Sequence, residues 1–452
     1  MFLHRLIFTQ LIFSLLLALP VTSWAALTDQ SAELQKLLDR RGDIQLPEGT
    51  YLAGDLILHG HTRLRGVAGK TIIKQSPGSR YILSVNPGEG GSADPATNEN
   101  GIEIRDLVFE GRVVEDGFSE HSHALNFNAV TDLLVENCVI KSFRGDGIYL
   151  GSSNQGGLER HNLRVTVRNC LIDGTNRNNR NGISIIDGSD ITITGNTFRN
   201  CTRSDMPGAI DIEPNAQNFH ELGNIEISRN FFSQIGGNVG LISVVLPFKS
   251  FRIPPEGIRI IGNVAEARGN IGIHLGSGGN ATERTAPMDV LVEDNVLYDA
   301  ALGLRIFGMR GVTIRRNIID GTELEPLLGY NTEGNKNLDV TLKDNVFRQL
   351  SRRNGLGLSI FSGEGLSLEG NIFIDCGRRD GMANSAISLR RGQTNQLRLV
   401  NNRFFNPAGV INFKSINIAP DHRLDLKTLV FENNRLEGRK LEPAEIWGVS
   451  LD

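Results

Sequence analysis

Three short segments alternate apolar and polar residues in the same order: Gly-Asp-Gly-Ile-Tyr-Leu (145–150), Asn-Gly-Ile-Ser-Ile-Ile (181–186) and Ala-Ile-Asp-Ile-Glu-Pro (209–214). When they are aligned, isoleucine or leucine fills two positions that flank a third. Tyr149, Ser184 and Asp211 occupy that third position, and Glu213 follows Asp211 by two residues. Because side chains alternate across a strand, the alignment predicts neighbouring strands with an apolar inner face and a polar face in solvent.

The same register recurs along most of the chain, marked by an asparagine between apolar strand residues. This asparagine returns every 22 to 34 residues, at Asn137, Asn169, Asn196, Asn230, Asn263, Asn295, Asn317, Asn345, Asn371, Asn402 and Asn434. A period of this length, with one supersecondary unit in each repeat, indicates a solenoid. The repeats contain alternating segments and no helical periodicity. We therefore predict coils of β-structure.

An asparagine at a fixed turn position can hydrogen-bond to its counterparts in the coils above and below, and it tolerates left-handed backbone. With this ladder and the inward columns, the chain resembles the right-handed parallel β-helix proteins of the pectin-lyase-like superfamily over roughly residues 44–440. The resemblance implies an all-β, single-domain right-handed parallel β-helix. It leaves the activity open, because that superfamily contains lyases, hydrolases, epimerases and binding proteins.

The N-terminus has the features of an export signal. Residues 1–25 combine a short basic start, an apolar run and a Ser-Trp-Ala cleavage signal, as signal peptides do. The apolar run is too short to span a bilayer core of about 30 Å, and no later segment is long enough. We expect a periplasmic or secreted protein with no integral membrane segment after cleavage.

Both ends of the solenoid are expected to be capped. Residues 26–43 are assigned to an N-terminal capping helix, which would shield the open first coil. Three leucines share one face of that helix: Leu34, Leu37 and Leu38. The β-helix is expected over residues 44–440, and residues 441–452, where the repeat is lost, are assigned to a C-terminal cap.

Charge and cysteine content exclude some classes of protein. A formal net charge of −4 is too small to indicate binding to nucleic acid, and four cysteines in 452 residues do not form a disulfide scaffold. Cys138 and Cys170 each follow a repeat asparagine, so they should stack about 4.8 Å apart on adjacent coils. They could be bridged, but side chains that run in parallel register favour two buried thiols.

Irregular insertions interrupt the coils and flank the outward column of the predicted sheet. They lie at 86–100, 111–123, 151–162, 174–180, 202–208, 214–222, 246–256 and 276–288. Loops raised on both sides of a flat sheet form a groove that suits a long polymer. The second half of the chain has fewer large insertions, so we place the site in the N-terminal and middle coils.

The outward column collects the residues that could carry chemistry. We expect it to read Asn126, Tyr149, Ser184, Asp211, Ile242, His274, Arg305, Ser359 and Ser388. Acidic residues are uncommon in strands, so the pair formed by Asp211 and Glu213 favours a functional role. Asp146 in Gly-Asp-Gly could equally shape a turn.

Roles follow from chemistry and placement. The candidate catalytic residues are Asp211, Glu213, Asp146, His274 and Asp187. The candidate substrate-binding residues are Tyr149, Arg180, Arg305, His123 and Ser184. No metal site is predicted, because His121 and His123 lack the nearby cysteine or carboxylate spacing of a zinc site. No cofactor is predicted, and a requirement for calcium stays open.

Two segments look similar to strands of polygalacturonase-like glycosidases. Residues 272–277 resemble their Gly-His-Gly strand, and residues 303–307 resemble their Gly-x-Arg-Ile-Lys strand. The catalytic Asp-Asp pair and the Gly-His-Gly step of that family are absent, and Phe307 stands where the family has lysine. The Asp-Pro-His-Asp motif of alginate epimerases is absent as well. The resemblance therefore does not imply either activity.

Three classes of function remain. The first is a glycoside hydrolase, which needs a pair of carboxyl groups. The second is a uronate lyase or epimerase, in which Arg305 or Arg180 neutralises a sugar carboxylate and Tyr149 or His274 abstracts a proton. The third is a solenoid that only binds glycan. The groove and the carboxylates favour an enzyme acting on a polysaccharide.

Basic residues in the flanking loops favour an acidic polysaccharide as the partner. They are Arg160, Arg177, Arg180, Lys249, Arg252 and Arg284. The sequence does not define the oligomeric state, the sugar or the bond.

Export is tested by sequencing the N-terminus of the secreted protein. Cleavage after residue 25 or 26 should leave Ala26 or Leu27 as the first residue. A membrane-bound form that retains Met1 would contradict the signal-peptide assignment.

Overall fold

The structure is a computed structural model that describes residues 27–86, 98–155, 158–215, 219–246, 251–277, 288–329, 336–377 and 384–447. In these residues the chain winds through three long parallel sheets, which we call sheets 1, 2 and 3. One coil illustrates the order: Ile183–Ile185 lies in sheet 1, Gly188–Thr194 in sheet 2 and Thr197–Arg199 in sheet 3. The next coil returns to sheet 1 at Ile210–Ile212. This is the predicted all-β solenoid.

The strands of each sheet come from successive coils. Sheet 1 contains Leu56–Ile57, Leu83–Val85, Leu125–Asn128, Ile148–Gly151, Ile183–Ile185, Ile210–Ile212, Ile242–Leu246, Ile271–Ser277, Leu302–Phe307, Leu327–Leu328, Leu358–Ile360, Asn384–Leu389 and Phe413–Ile418. Sheet 2 contains Gly42–Gln45, Thr62–Arg65, Glu99–Arg105, Val130–Glu136, Leu163–Arg168, Gly188–Thr194, Leu222–Ser228, Glu256–Ile261, Val290–Glu293, Arg310–Arg315, Asn337–Lys343, Gly363–Glu364, Ser367–Glu369, Gly392–Asn395, Arg398–Val400, His422–Leu424 and Val430–Glu432. Sheet 3 contains Gly49–Ala53, Thr71–Gln75, Val108–Glu110, Val139–Lys141, Leu171–Asp173, Thr197–Arg199, Phe231–Ser233, Val264–Glu266, Val296–Ala300, Ile318–Thr322, Val346–Arg348, Ile372–Ile374, Arg403–Phe405, Arg435–Leu436 and Arg439–Lys440.

Antiparallel pairing occurs at two places in the described residues. Ser153–Gln155 pairs with Leu158–Arg160 in a hairpin beside sheet 1, and Arg435–Leu436 pairs with Arg439–Lys440 near the C-terminal end. Three helices complete the described structure: α1 at Ser31–Leu38, α2 at Val113–Asp116 and α3 at Ala444–Trp447.

The interior is filled by columns of apolar side chains, as the alternation predicted. The inward columns of sheet 1 are fully buried, including Ile148, Ile183, Ile210, Leu150, Ile185 and Ile212. On sheet 3 the rings of Phe347 and Phe373 stack with centroids 5.0 Å apart, and Phe404 follows at 5.2 Å. Stacking of like side chains on successive coils therefore forms one continuous core.

The asparagine ladder is present at the corner between sheets 2 and 3 and runs from Asn196 to Asn434. At each step, the side-chain oxygen accepts hydrogen bonds from the backbone N–H and the Nδ2 of the preceding asparagine at 2.9 to 3.1 Å. Each Nδ2 also donates to a backbone carbonyl, as Asn263 does to Ile227. The ladder therefore satisfies the buried polar groups of the corner.

The prediction that Asn137 and Asn169 belong to the ladder is wrong. Both side chains are exposed, and both residues have a φ of 54°, so they supply the left-handed backbone one position before the ladder. Cys138 and Cys170 occupy the ladder column, and the N–H of Cys170 donates to Asn196 Oδ1 at 2.9 Å. All four cysteines are buried free thiols, so the bridge between Cys138 and Cys170 is absent.

Helix α1, at Ser31–Leu38, covers the N-terminal end of the core. Leu34 and Leu38 are buried, and Leu37 packs against the same core. Residues 1–26 lie outside the described residues, so the signal peptide is not addressed by the structure. Of residues 441–452, which were assigned to the C-terminal cap, the structure describes 441–447. Among the described residues, no helix has the length and apolar character needed to cross a membrane.

The ladder predicts a specific loss of stability. Asn295→Ala removes the acceptor of two donors on Asn263 and leaves them buried, which should lower the free energy of unfolding by about 2–3 kcal/mol or more. The control is Asn417→Ala, since Asn417 lies on an outward strand position beside Lys414, and it should cost less than about 0.5 kcal/mol. Chemical denaturation measures both. Equal free energies of unfolding for Asn295→Ala and Asn417→Ala would show that the ladder does not hold the coils together.

Candidate functional site

The outward column of sheet 1 is continuous from coil to coil. Strand register aligns Ser84, Asn126, Tyr149, Ser184, Asp211, Ser243, His274, Arg305, Leu327, Ser359, Ser388 and Asn417. The expected residue Ile242 is wrong by one position, because Ile242 pairs with Ile210 and lies in the core. Ser243 takes the place of Ile242 in the column. Leu327 occupies the column in the coil between Arg305 and Ser359, for which the sequence predicted no residue.

Much of this outward column is not in solvent, which contradicts the sequence-based expectation. Ser184, Asp211 and Ser243 are fully buried, and His274 is nearly so. The corner segment that leads from sheet 3 into Ile183–Ile185 lies over the strands, and its Arg180 and Asn181 side chains bond to the column. Polar side chains on this face are therefore enclosed between strands and corner loops.

Arg180 is the centre of one charged cluster. Its Nη1 lies 3.2 Å from Asp146 Oδ2 and 2.9 Å from Ser184 Oγ, and its Nη2 lies 3.2 Å from Glu213 Oε2. Its Nε lies 3.6 Å from Glu120 Oε1. One largely buried guanidinium thus joins three carboxylates from three different coils or loops.

Asp146 is the buried anchor of Arg180 and not a simple turn residue. It has no exposed surface, and its Oδ1 accepts from the N–H of Asn181 at 2.9 Å. Burial alone would raise the pKa of Asp146, but the charges of Arg180 and His123 outweigh it and hold that pKa below its ordinary value. His123 lies 3.2 Å from Asp146 and stacks on Tyr149 with ring centroids 4.4 Å apart.

Asp211 is a buried carboxyl group whose pKa is shifted upward, opposite to that of Asp146. Burial and the nearby Glu213 carboxylate raise the pKa of Asp211 well above its ordinary value, which favours the protonated form. Its Oδ1 accepts from Ser243 Oγ at 2.5 Å. Asp211 is therefore the member of the pair whose pKa is raised.

The Asn181 amide fits a protonated Asp211. Oriented to satisfy its neighbours, Asn181 accepts from Ser184 and Arg180 and donates to the carbonyls of Arg180 and Gly208. Its oxygen then faces Asp211 Oδ2 across 3.3 Å. Asp211 in its acid form can donate to this oxygen, whereas a carboxylate can only accept.

Glu213 is the accessible member of the pair. It follows the strand Ile210–Ile212, and its N–H donates to the carbonyl of Ile185 on the neighbouring coil, which extends the sheet by one residue. The side chain is 41% exposed while its carboxylate is held by Arg180. A ligand on this face can therefore reach Glu213 but not Asp211.

Asp187 belongs to a second cluster, on the side of sheet 1 that leads to sheet 2. Both oxygens of the fully buried Asp187 lie 2.9 Å from His161 Nδ1, and Oδ1 accepts from the Glu221 N–H at 2.7 Å. The hydrogen bond to Asp187 raises the pKa of His161. His161 Nε2 lies 3.5 Å from Glu221 Oε1.

His274 and Arg305 form a third cluster. His274 Nδ1 accepts from Arg305 Nε at 3.0 Å, and Arg305 Nη2 donates to the carbonyl of Val239 at 3.1 Å. The Phe307 ring lies beside His274 with centroids 5.1 Å apart. Ser243 stands on the coil between His274 and Asp211.

The structure thus joins Asp146, Arg180, Ser184, Asp211 and Glu213 in one cluster, with His123 and Tyr149 beside it. It places Asp187 in the second cluster and His274 with Arg305 in the third. Sequence reasoning missed Glu120, Asn181, Ser243, His161 and Glu221 as site residues. Alignment of Gly208 with Gly240 could have identified Ser243, but no local pattern indicates that a loop histidine meets Asp187. Within the described residues, no group of three or more histidine, cysteine or carboxylate side chains could hold a metal ion.

Comparisons with known proteins agree with this architecture. The family model described as right handed beta helix region matches residues 123–244 and 255–424, which is more than half of the chain. The protein therefore belongs to the right-handed β-helix family. No curated protein matches it in sequence.

Solved structures share the fold at low sequence identity. The A-module of the Azotobacter vinelandii mannuronan C-5 epimerase AlgE4 is 14% identical, with a TM-score of 0.50 over 91% of this chain and 96% of that one. An N-terminal fragment of bacteriophage Phi29 gene product 12 is 14% identical, with a TM-score of 0.61 over 92% and 71%. A mutant tailspike of Escherichia coli bacteriophage HK620, in complex with a pentasaccharide, is 12% identical, with a TM-score of 0.52 over 91% and 75%. At these identities the likeness concerns the fold alone.

Burial of His274 predicts a pH-dependent stability. Burial, with the charge of Arg305, lowers the pKa of His274 to about 3. Since this folded-state value lies below the unfolded value of about 6.5, the stabilisation is complete above pH 6.5 and is lost as the pH falls towards 3.

Between pH 7 and pH 5 His274 should account for about 2 kcal/mol of lost stability. Urea unfolding of the native protein and of His274→Gln at both pH values measures this, and the variant should lose less stability over the interval. Identical pH dependence in the two proteins would show that His274 is not held in its neutral form.

Proposed function

We propose that the protein is an exported enzyme that hydrolyses a polysaccharide lying along the outward face of sheet 1. The observation that supports this best is the Arg180 cluster, which holds the Glu213 carboxylate at the surface. Burying Asp146, Asp211 and most of Arg180 on one face costs stability that an apolar cluster would not. Perturbed ionisable groups of this kind concentrate at functional sites. The fold likeness to a tailspike solved with a pentasaccharide is compatible with a glycan on this scaffold.

The geometry divides the roles of the two carboxyl groups proposed from the sequence. Glu213 can contact a sugar, whereas Asp211 is fully buried and acts through Glu213. Asp211 is therefore a positioning residue, and the second of the two carboxyl groups that flank a glycosidic bond must be another one. Hydrolases place those groups about 5 to 9.5 Å apart.

Glu120 is the second carboxyl group that a sugar could reach. It approaches Nε of Arg180 while Glu213 approaches Nη2, and its side chain is 50% exposed. We assign Glu213 as the base or nucleophile, because Arg180 holds its carboxylate in place at the surface. Glu120 is then the group that gives a proton to the departing sugar oxygen.

Hydrolysis fits the described residues better than proton abstraction by a lyase or epimerase. Burial and Asp146 raise the pKa of Tyr149 to about 12, so its hydroxyl stays protonated at neutral pH. The Nδ1 of His274 already accepts from Arg305. Arg180 is surrounded by three carboxylates and is poorly placed to neutralise a fourth on a uronate.

The variant Glu213→Gln tests the proposal. It keeps the shape of the side chain and removes the charge, so turnover of the cleaved glycan should fall by about 100-fold or more while the melting temperature changes little. A glycan panel followed by both reducing ends and the absorbance of unsaturated uronate identifies the substrate. Glu432→Gln, at an exposed position on sheet 2, is the matched control and should keep full activity.

Other outcomes of these activity measurements would favour another site or one of the alternative functions. Full activity of Glu213→Gln would place the site on another face. Formation of unsaturated uronate by the native protein would indicate a lyase, and binding without any cleavage would indicate the non-catalytic solenoid.

A further inference from the structure

The most exposed charged side chains within the Arg180 and His161 clusters are carboxylates. The side chains of Glu120, Glu213 and Glu221 are 50%, 41% and 28% exposed. The cations beside them lie deeper, since Arg180 is 12% exposed and His161 is 19% exposed. A ligand that contacts these two clusters therefore meets negative charge before it meets positive charge.

The two cations are already shared among more carboxylates than they can neutralise. Arg180 lies within 4 Å of Asp146, Glu120 and Glu213. His161 contacts Asp187 and Glu221. Even when His123 and His161 are both protonated and Asp211 is neutral, five carboxylates against three cations leave a formal excess of two negative charges.

The loop arginines that favoured an acidic glycan do not change this balance at the site. Arg252 is paired with Glu159 at 2.6 Å, and Arg160 is buried and donates to Ser153. Arg177 lines a different cavity, at the corner between sheets 3 and 1, together with Gln234 and Arg268. Lys249 and Arg284 lie outside the described residues.

Arg305 adds a positive charge on the same face, but it lies three coils from Asp211. At about 4.8 Å per coil, that separation is roughly 14 Å. The Debye length at physiological ionic strength is about 8 Å. Arg305 therefore contributes little to the potential at Glu120 and Glu213.

We infer that the polysaccharide bound here carries no acidic groups, and that its hydroxyl or ammonium groups donate hydrogen bonds to Glu120, Glu213 and Glu221. This inference rests on the proposed site on sheet 1. Carboxylates are acceptors only, so sugar hydroxyls and amines complement them. A uronate or sulfated sugar would bring like charges together without a free cation in the Arg180 and His161 clusters to compensate.

Equilibrium binding to the mature protein tests the inference directly. The probes are uncharged oligosaccharides from dextran, mannan, xylan and β-glucan, amine-bearing chitosan oligosaccharides, and acidic oligogalacturonate and oligomannuronate, at 20 mM and 200 mM salt. At least one uncharged or amine-bearing probe should bind at least about tenfold more tightly than either acidic probe. Weakening by salt would identify the ammonium group as the donor, and insensitivity to salt would identify hydroxyls.

Charge variants provide the matched comparison. Changing Glu120, Glu213 and Glu221 together to glutamine should weaken binding of the preferred probe and strengthen binding of the acidic probes at 20 mM salt. Changing the exposed residues Glu48, Glu432 and Glu442 to glutamine makes the same change in net charge elsewhere on the protein. This control should leave the affinities for the preferred probe and for the acidic probes unchanged. If the first variant fails to fold, the affinity ratios of the native protein still decide the question.

Tightest binding to an acidic probe, or no binding to any uncharged or amine-bearing probe, would overturn the inference. Its failure is distinct from that of the hydrolase proposal. Cleavage of an acidic glycan would leave the hydrolase standing and overturn the inference. Binding of an uncharged glycan without cleavage would support the inference and overturn the hydrolase proposal.

Discussion

The side-chain hydrogen bonds between stacked asparagines are the constraint on which the rest of the structure depends. Each one fixes a coil against its neighbour at the corner between sheets 2 and 3, from Asn196 to Asn434. Because side chains alternate strictly along a strand, a slip of one residue would exchange the inner and outer faces. The ladder thus holds the register that buries the isoleucine columns and brings Asp211, Ser243 and His274 onto one face of sheet 1.

That register alone does not make a functional face, because the corner loops decide what remains accessible. The loop before Ile183–Ile185 lays Arg180 and Asn181 over the column and buries Asp211, while Glu213, one residue beyond its strand, stays within reach of a ligand. The same loop supplies the cation that holds Glu213. A rigid solenoid carries the residues, and its insertions select which of them a polymer could touch.

The sequence predicts the fold well because its signals are local and repeated. Alternation and the recurring asparagine each depend on a few adjacent residues, and a misplaced residue such as Asn137 does not disturb the pattern. The site is predicted less well because it depends on contacts between coils. Nothing near Asp146 in the chain indicates that Arg180 pairs with it across 34 residues. The single-position error at Ile242 arose because Leu241, Ile242 and Val244 are all apolar around Ser243, so the alternation is weak there.

The central claim is that a glycan lies on the outward face of sheet 1 and contacts Glu213. A crystal structure of Glu213→Gln with a bound oligosaccharide from the panel tests it most directly, because the variant slows cleavage and keeps the shape of the face. The account predicts a sugar within hydrogen-bonding distance of residue 213, between the corner loop that carries Arg180 and the loop that carries His161. A sugar bound to the outer face of sheet 2 or sheet 3, with the face around residue 213 empty, would contradict it.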